Sequence, residues 1–124
     1  MSIEPPVAEW GDLCRHVARL GALLAPLEGA QNGTVRSLAG QAIGAVGQMR
    51  AQIDAMQSGA CDVEAEQPYA KSYGDLLRQA LLANAQVCEE LYRRREGTSL
   101  AAQLPYLTSL AHYVHSLLLT LAAF

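Results

Sequence analysis

The final stretch of the chain, Gly97 to Phe124, runs for 28 residues without an Asp, Glu, Lys or Arg, yet it keeps a helical rhythm. Leu100, Leu104, Leu107, Ala111, Val114, Leu118 and Leu121 recur at steps of four and three, the a/d spacing of a helix seam. A second apolar row, Tyr106, Leu110, Tyr113, Leu117 and Phe124, lies beside the first. It leaves Ser109, His112, Ser116 and Thr120 as a thin polar strip. A helix this apolar has to be covered on more than one side, by its own chain or by another protein.

A membrane span is not the expected cover. Gln103, Pro105, His112 and His115 interrupt the stretch, and no basic cluster flanks its end. The remainder of the chain also reads as helix, because Ala and Leu dominate while aromatic and β-branched residues are few. The first helix is predicted over 6–24, opening at Pro6, with Trp10, Leu13, Cys14, Val17, Leu20, Gly21, Leu24 and Leu27 on one face. Pro26 and the 28–33 stretch end it. The second is predicted over 34–57, capped by Thr34, with a core face of Val35, Leu38, Ala39, Ala42, Val46, Met49, Ile53 and Met56. An acidic loop, 58–67, carries Asp62, Glu64 and Glu66. The third helix is predicted over 68–96, burying Tyr73, Leu77, Ala80, Leu81, Val87, Cys88 and Leu91, and Gly97 stops it. The fourth is predicted over 99–123, with a kink or a short separate first turn at Pro105. One all-α domain, an antiparallel four-helix bundle that pairs as a homodimer, is the expected architecture.

Helix two has an unusual back. Ser37, Gly40, Gly44, Gly47, Ala51 and Ala55 fall opposite its core face, and mid-helix glycines cost about 1 kcal/mol each relative to Ala. A smooth stripe of this kind permits close approach of another helix. Asn84 falls within the apolar face of helix three, where a buried amide either fixes register or bonds a neighbouring backbone. Leu82 sits on the charged face of that helix and is a candidate partner contact. Arg93-Arg94-Arg95 is the only basic run, and Glu89–Arg93 and Glu90–Arg94 are well-spaced ion pairs in a last helical turn.

Catalytic signatures are missing from the sequence. It contains no G-x-S-x-G elbow, no phosphate loop, no C-x-x-C and no Glu-x-x-His. The net charge of −3 gives no general attraction to nucleic acid. His112 and His115 could share a metal ion, but zinc would need two further ligands. Cys14, Cys61 and Cys88 are widely spaced and odd in number, which is read as three free thiols in a reducing cytosol, with Cys61 in the acidic loop. The acidic, proline-broken N-terminus does not resemble a secretory signal, and Asn32-Gly33-Thr34 is read as a turn and helix cap. Arg outnumbers Lys eight to one beside abundant Ala and Gly, as a GC-rich bacterial genome would encode.

These features point to a small cytoplasmic, non-enzymatic, regulatory protein that works by binding another protein. The expected classes are an anti-activator, a secretion chaperone or an immunity protein, with a regulator, a secreted substrate or a toxin as partner. Nucleic acid, membrane and cofactors are not expected. The candidate contact residues are Tyr106, Leu110, Tyr113, Leu117 and Phe124, with Gly40, Gly44, Gly47 and Leu82. The alternative is a metal- or ligand-binding bundle using His112 and His115.

Overall fold

A computed structural model describes residues 7–56, 58–59, 61, 67–94 and 104–124. Among these the chain forms four α-helices and no strand: α1 (Val7–Leu24), α2 (Gly33–Met56), α3 (Tyr73–Arg93) and α4 (Leu104–Ala122). A short 3-10 helix, Ala25–Gly29, carries α1 onward, and it holds Pro26 in its first turn and buries Leu27. Both α1 and α4 pack on α2 and on α3. The diagonal pairs α1/α4 and α2/α3 make no close backbone approach among the described residues, so the section is a square of four helices around one core.

That core follows the apolar spacing closely. Trp10, Leu13, Leu20, Leu23 and Leu24 of α1 are fully buried, as are Met49 and Ile53 of α2 and Leu107, Leu118 and Leu121 of α4. Removing such side chains from water contributes about 1.5–3 kcal/mol apiece, which is what holds helices with three exposed mid-helix glycines in place. The a/d positions of α4 from Leu104 to Leu121 are all buried. In α2, Ala45 joins the core, while Leu38 and Met56 are only half-buried. In α3, Ala83 and Asn84 join it, and Tyr73, Leu81 and Cys88 stay partly open.

Cross-helix contacts define the register. Tyr73 Oη donates to the Leu121 carbonyl (2.6 Å), and Asn84 Nδ2 donates to the Ala111 carbonyl (3.0 Å). Asn84 is 1 % exposed, and its Oδ1 has no hydrogen-bond partner among the described residues. The amide therefore satisfies its donor side across the α3/α4 seam. Where α3 ends, Arg94 lies 5.3 Å over the Trp10 ring and bonds both the carboxylate and the carbonyl of Glu90. Arg93 pairs with Glu89 and Glu90, so both expected ion pairs of this turn form.

Several boundaries differ from the sequence reading. The cap of α2 is Asn32 rather than Thr34: Asn32 Oδ1 accepts from the backbone N–H groups of Thr34 (2.9 Å) and Val35 (3.2 Å). α3 starts at Tyr73, five residues after Pro68. Ser72 Oγ accepts from Asp75 N, the N-cap bond that sets the helix start, and Asp75 Oδ2 accepts from Lys71 N just ahead of it. Pro105 is the second residue of α4 as described, and the expected kink or separate first turn before it falls on residues outside the described ones. Asp62, Glu64 and Glu66, Arg95, Gly97, Leu100 and the expected starts at Pro6 and 99 lie outside the described residues.

The cysteines overturn the expectation of three free thiols. Cys14 of α1 is disulfide-bonded to Cys61, with Cα atoms 5.3 Å apart across a separation of 47 residues. Cys61 is buried against the core rather than exposed, and Arg50 Nη2 holds its carbonyl at 2.8 Å. Sequence spacing could not reveal this, because the pairing exists only once α2 returns the chain to α1. Cys88 is free and half-buried, and burial pushes its thiol pKa up. Two of the three cysteines thus give no support to a reducing compartment.

Candidate protein-binding face

α2 and α4 lie side by side, and their outward surfaces merge into one face. From α4, Tyr113 Oη donates to Gln41 Oε1 (3.0 Å) and Tyr106 Oη donates to Gln48 Oε1 (3.4 Å). Gln41 and Gln48 are seven apart, two helical turns, and so are Tyr106 and Tyr113. The two phenols therefore bridge the seam at equal spacing, with Gly44 at the level between them on α2.

On the α2 half, a Cβ added at Gly40, Gly44 or Gly47 would meet none of the described residues within 4 Å. These glycines are exposed, not sites of close packing among the described residues. Ser37, Ala51 and Ala55 extend the same smooth stripe and are exposed. On the α4 half, Tyr106 is 50 % and Tyr113 44 % exposed, Phe124 is exposed, and Leu110 is half-buried between them. Leu117 belongs to the core instead, at 8 % exposure, because it stands one helical turn from the buried Val114 and Leu121 on the edge of the core face. Across this face, from the outward stripe of α2 to the whole of α4, the chain carries no Asp, Glu, Lys or Arg. Aromatic rings without nearby charge are the surface composition that binding hot spots favour.

Leu82 does not join this face. At 62 % exposure it stands on α3 beside α1, in a cleft with Arg15, His16, Arg19, Gln79, Ala83 and Gln86. The sequence reading places Arg15 and Arg19 on the charged face of the first helix and His16 one turn after Asp12, but does not join them to Leu82, since they come together only by the packing of α1 on α3. Likewise, nothing local to α2 marks Gln41 and Gln48 as partners of tyrosines about 60 to 70 residues away.

His112 and His115 are both exposed on α4. No group of three His, Cys, Asp or Glu side chains able to hold a metal ion occurs among the described residues, and neither histidine lines the α1/α3 cleft. No described helix is long and apolar enough to cross a membrane. No family model, no curated protein and no solved structure matches this chain.

Proposed function

We propose that this is a small, non-enzymatic regulatory protein that acts by binding protein through the α2/α4 face. Its four helices run antiparallel, and in the absence of another partner two copies pair through that face. The cross-helix contacts support the antiparallel reading. Residue numbers fall on one helix as they rise on its neighbour, from Tyr73–Leu121 to Asn84–Ala111 and from Gln41–Tyr113 to Gln48–Tyr106.

The observation that carries the binding proposal is the exposure of Tyr106 and Tyr113 beside an exposed glycine stripe, with no charged side chain on the shared face. The face is about 30 Å long and two helices, or about 20 Å, wide. Its area is on the order of 600 Å2, near the ~800 Å2 per partner of a stable interface. An uncharged face meets its own copy without like-charge repulsion, whereas α1 and α3 present Arg15, Arg78 and Glu89 outward. An anti-activator, a secretion chaperone or an immunity protein would use such a face by presenting it to a regulator, a secreted substrate or a toxin. The paired cysteines leave the cytoplasmic assignment to be tested by thiol counting.

Light scattering during size-exclusion chromatography tests the pairing. The wild type is expected to be a dimer that dissociates on dilution, and Tyr113→Asp to be a helical monomer. A wild-type monomer at every concentration overturns self-association, and an undiminished dimer in the variant removes α4 from the interface.

A further inference from the structure

The outward sides of α2 and α4 differ in bulk at matched levels. On α2, Ser37, Gly44 and Ala51 recur every seven residues and are exposed. Gln41 and Gln48 fall between them, each four residues after one small residue and three before the next. These glutamines accept from Tyr113 and Tyr106, so each phenol stands level with a gap between small residues. Tyr113 is level with the gap from Ser37 to Gly44, and Tyr106 with the gap from Gly44 to Ala51. The same register sets the half-buried Leu110 level with Gly44.

Resting on the pairing of two copies through this face, we propose that the two-fold axis of the pair runs along the α2/α4 seam, parallel to the helices. Rotation about such an axis keeps every residue at its level and exchanges the two halves of the face. α4 of each copy then lies antiparallel on α2 of the other. Tyr113 and Tyr106 of one copy enter the two gaps on its mate, and Leu110 covers the mate's Gly44. The contact is self-complementary and is made twice.

Spacing selects this axis. Helices that meet through glycine approach to about 8 Å, and those that meet through large side chains stand about 10 Å apart. A two-fold axis across the helices would stack α2 on α2, small on small, and α4 on α4, tyrosine on tyrosine. The bulky pair would then hold the smooth pair apart, and the unfilled space would forfeit its dispersion contacts. With the axis along the seam, both pairs join one smooth helix to one bulky helix and close at the same distance. The polar groups at the seam permit it. Gln41 Oε1 accepts from Tyr113 and its Nε2 donates to Ser37 Oγ at 3.5 Å, so covering this amide leaves neither end unpaired.

Disulfide trapping reads the axis, in a Cys88→Ser parent that keeps only the Cys14–Cys61 pair. Gly44→Cys and Leu110→Cys are made as separate chains, mixed, left to exchange subunits and mildly oxidised. The axis along the seam brings position 44 of one copy to position 110 of the other. It holds like positions farther apart than the roughly 7 Å that a disulfide spans. The expected result is a covalent dimer from the mixture and none from either chain alone. A covalent dimer from either chain alone places the axis across the helices and overturns the arrangement, while the pairing stands. A mixture that is dimeric by light scattering yet yields no covalent dimer overturns it as well. A monomeric parent overturns the pairing and the arrangement together. A size swap gives a second reading without oxidation. Gly44→Leu should weaken the dimer about tenfold by overpacking, and Leu110→Ala in the same chain should restore most of that loss. Absence of rescue in a chain that stays helical overturns the arrangement.

Discussion

Tyr113 on α4 and Gln41 on α2, 72 residues apart in the chain, share a 3.0 Å hydrogen bond at the rim of an uncharged face. The bond turns the phenol edge toward α2 and leaves nearly half of the residue in solvent. Tyr113→Phe removes only this exposed bond, and its thermal stability should fall by less than about 1 kcal/mol. Circular dichroism melting of the two proteins checks this. A larger loss would mean that the bond holds α2 and α4 in register.

Gly44 lies in mid-helix, exposed, with no described residue within 4 Å of where a Cβ would project. In the monomer, Gly44→Ala should therefore stabilise by about 0.5–1 kcal/mol, a rise of a few degrees in Tm. Calorimetry at low protein concentration reads this effect free of association. Gly44→Leu should melt no lower than wild type as a monomer but dimerise less, because a bulky side chain would stand on the shared face.

Thiol counting separates Cys14 and Cys61 from Cys88. The unfolded, unreduced chain should react at one thiol, and after reduction at three. Closing a loop across 47 residues is worth about 4 kcal/mol in the chain-entropy view, so Cys14→Ser with Cys61→Ser should lower stability by up to that amount. In the folded protein, Cys88 should alkylate slowly at neutral pH, because burial raises its pKa and keeps the thiolate scarce.

Two groups give opposite pH limbs. The Asp75 carboxyl lies below its usual range, chiefly because it accepts from Lys71 N and also because it pairs with Arg78. Its contribution is present above the unfolded carboxylate value near 4 and is lost as pH falls through the lowered folded value. Tyr73 is raised by burial, so its contribution is complete below about 10 and is lost as pH rises through the folded value. Urea melts across pH should show a flatter acid limb in Asp75→Asn and a flatter alkaline limb in Tyr73→Phe.

Arg94 covers the only tryptophan of the chain. Arg94→Lys keeps the charge but loses the planar stacking, and should cost about 1 kcal/mol. Arg94→Ala should cost more and expose the ring, shifting Trp10 emission to the red. Unchanged emission in the alanine variant would show that other residues shield the indole.

The number of helices and most of the buried face of each were legible in the sequence. Burial of apolar area decides both, and a spacing of three and four records that area directly, as from Leu104 to Leu121. The start of α3 was legible too, in the Ser72-x-x-Asp75 cap, but Pro68 drew the reading five residues early. Tyr106, Tyr113 and the glycines of α2 could be picked out from their own helices, since each breaks the usual polar composition of an outer face. Their union was not legible, because adjacency between α2 and α4 is a property of the packed bundle. The burial of Leu117, the Cys14–Cys61 bond, the Arg94–Trp10 stack and the α1/α3 cleft have the same origin. Periodicity along one helix carries the energy of burying a face. Which residues of two helices come to the same level depends on where loops and caps place each helix along its neighbour, and only the tertiary structure decides that.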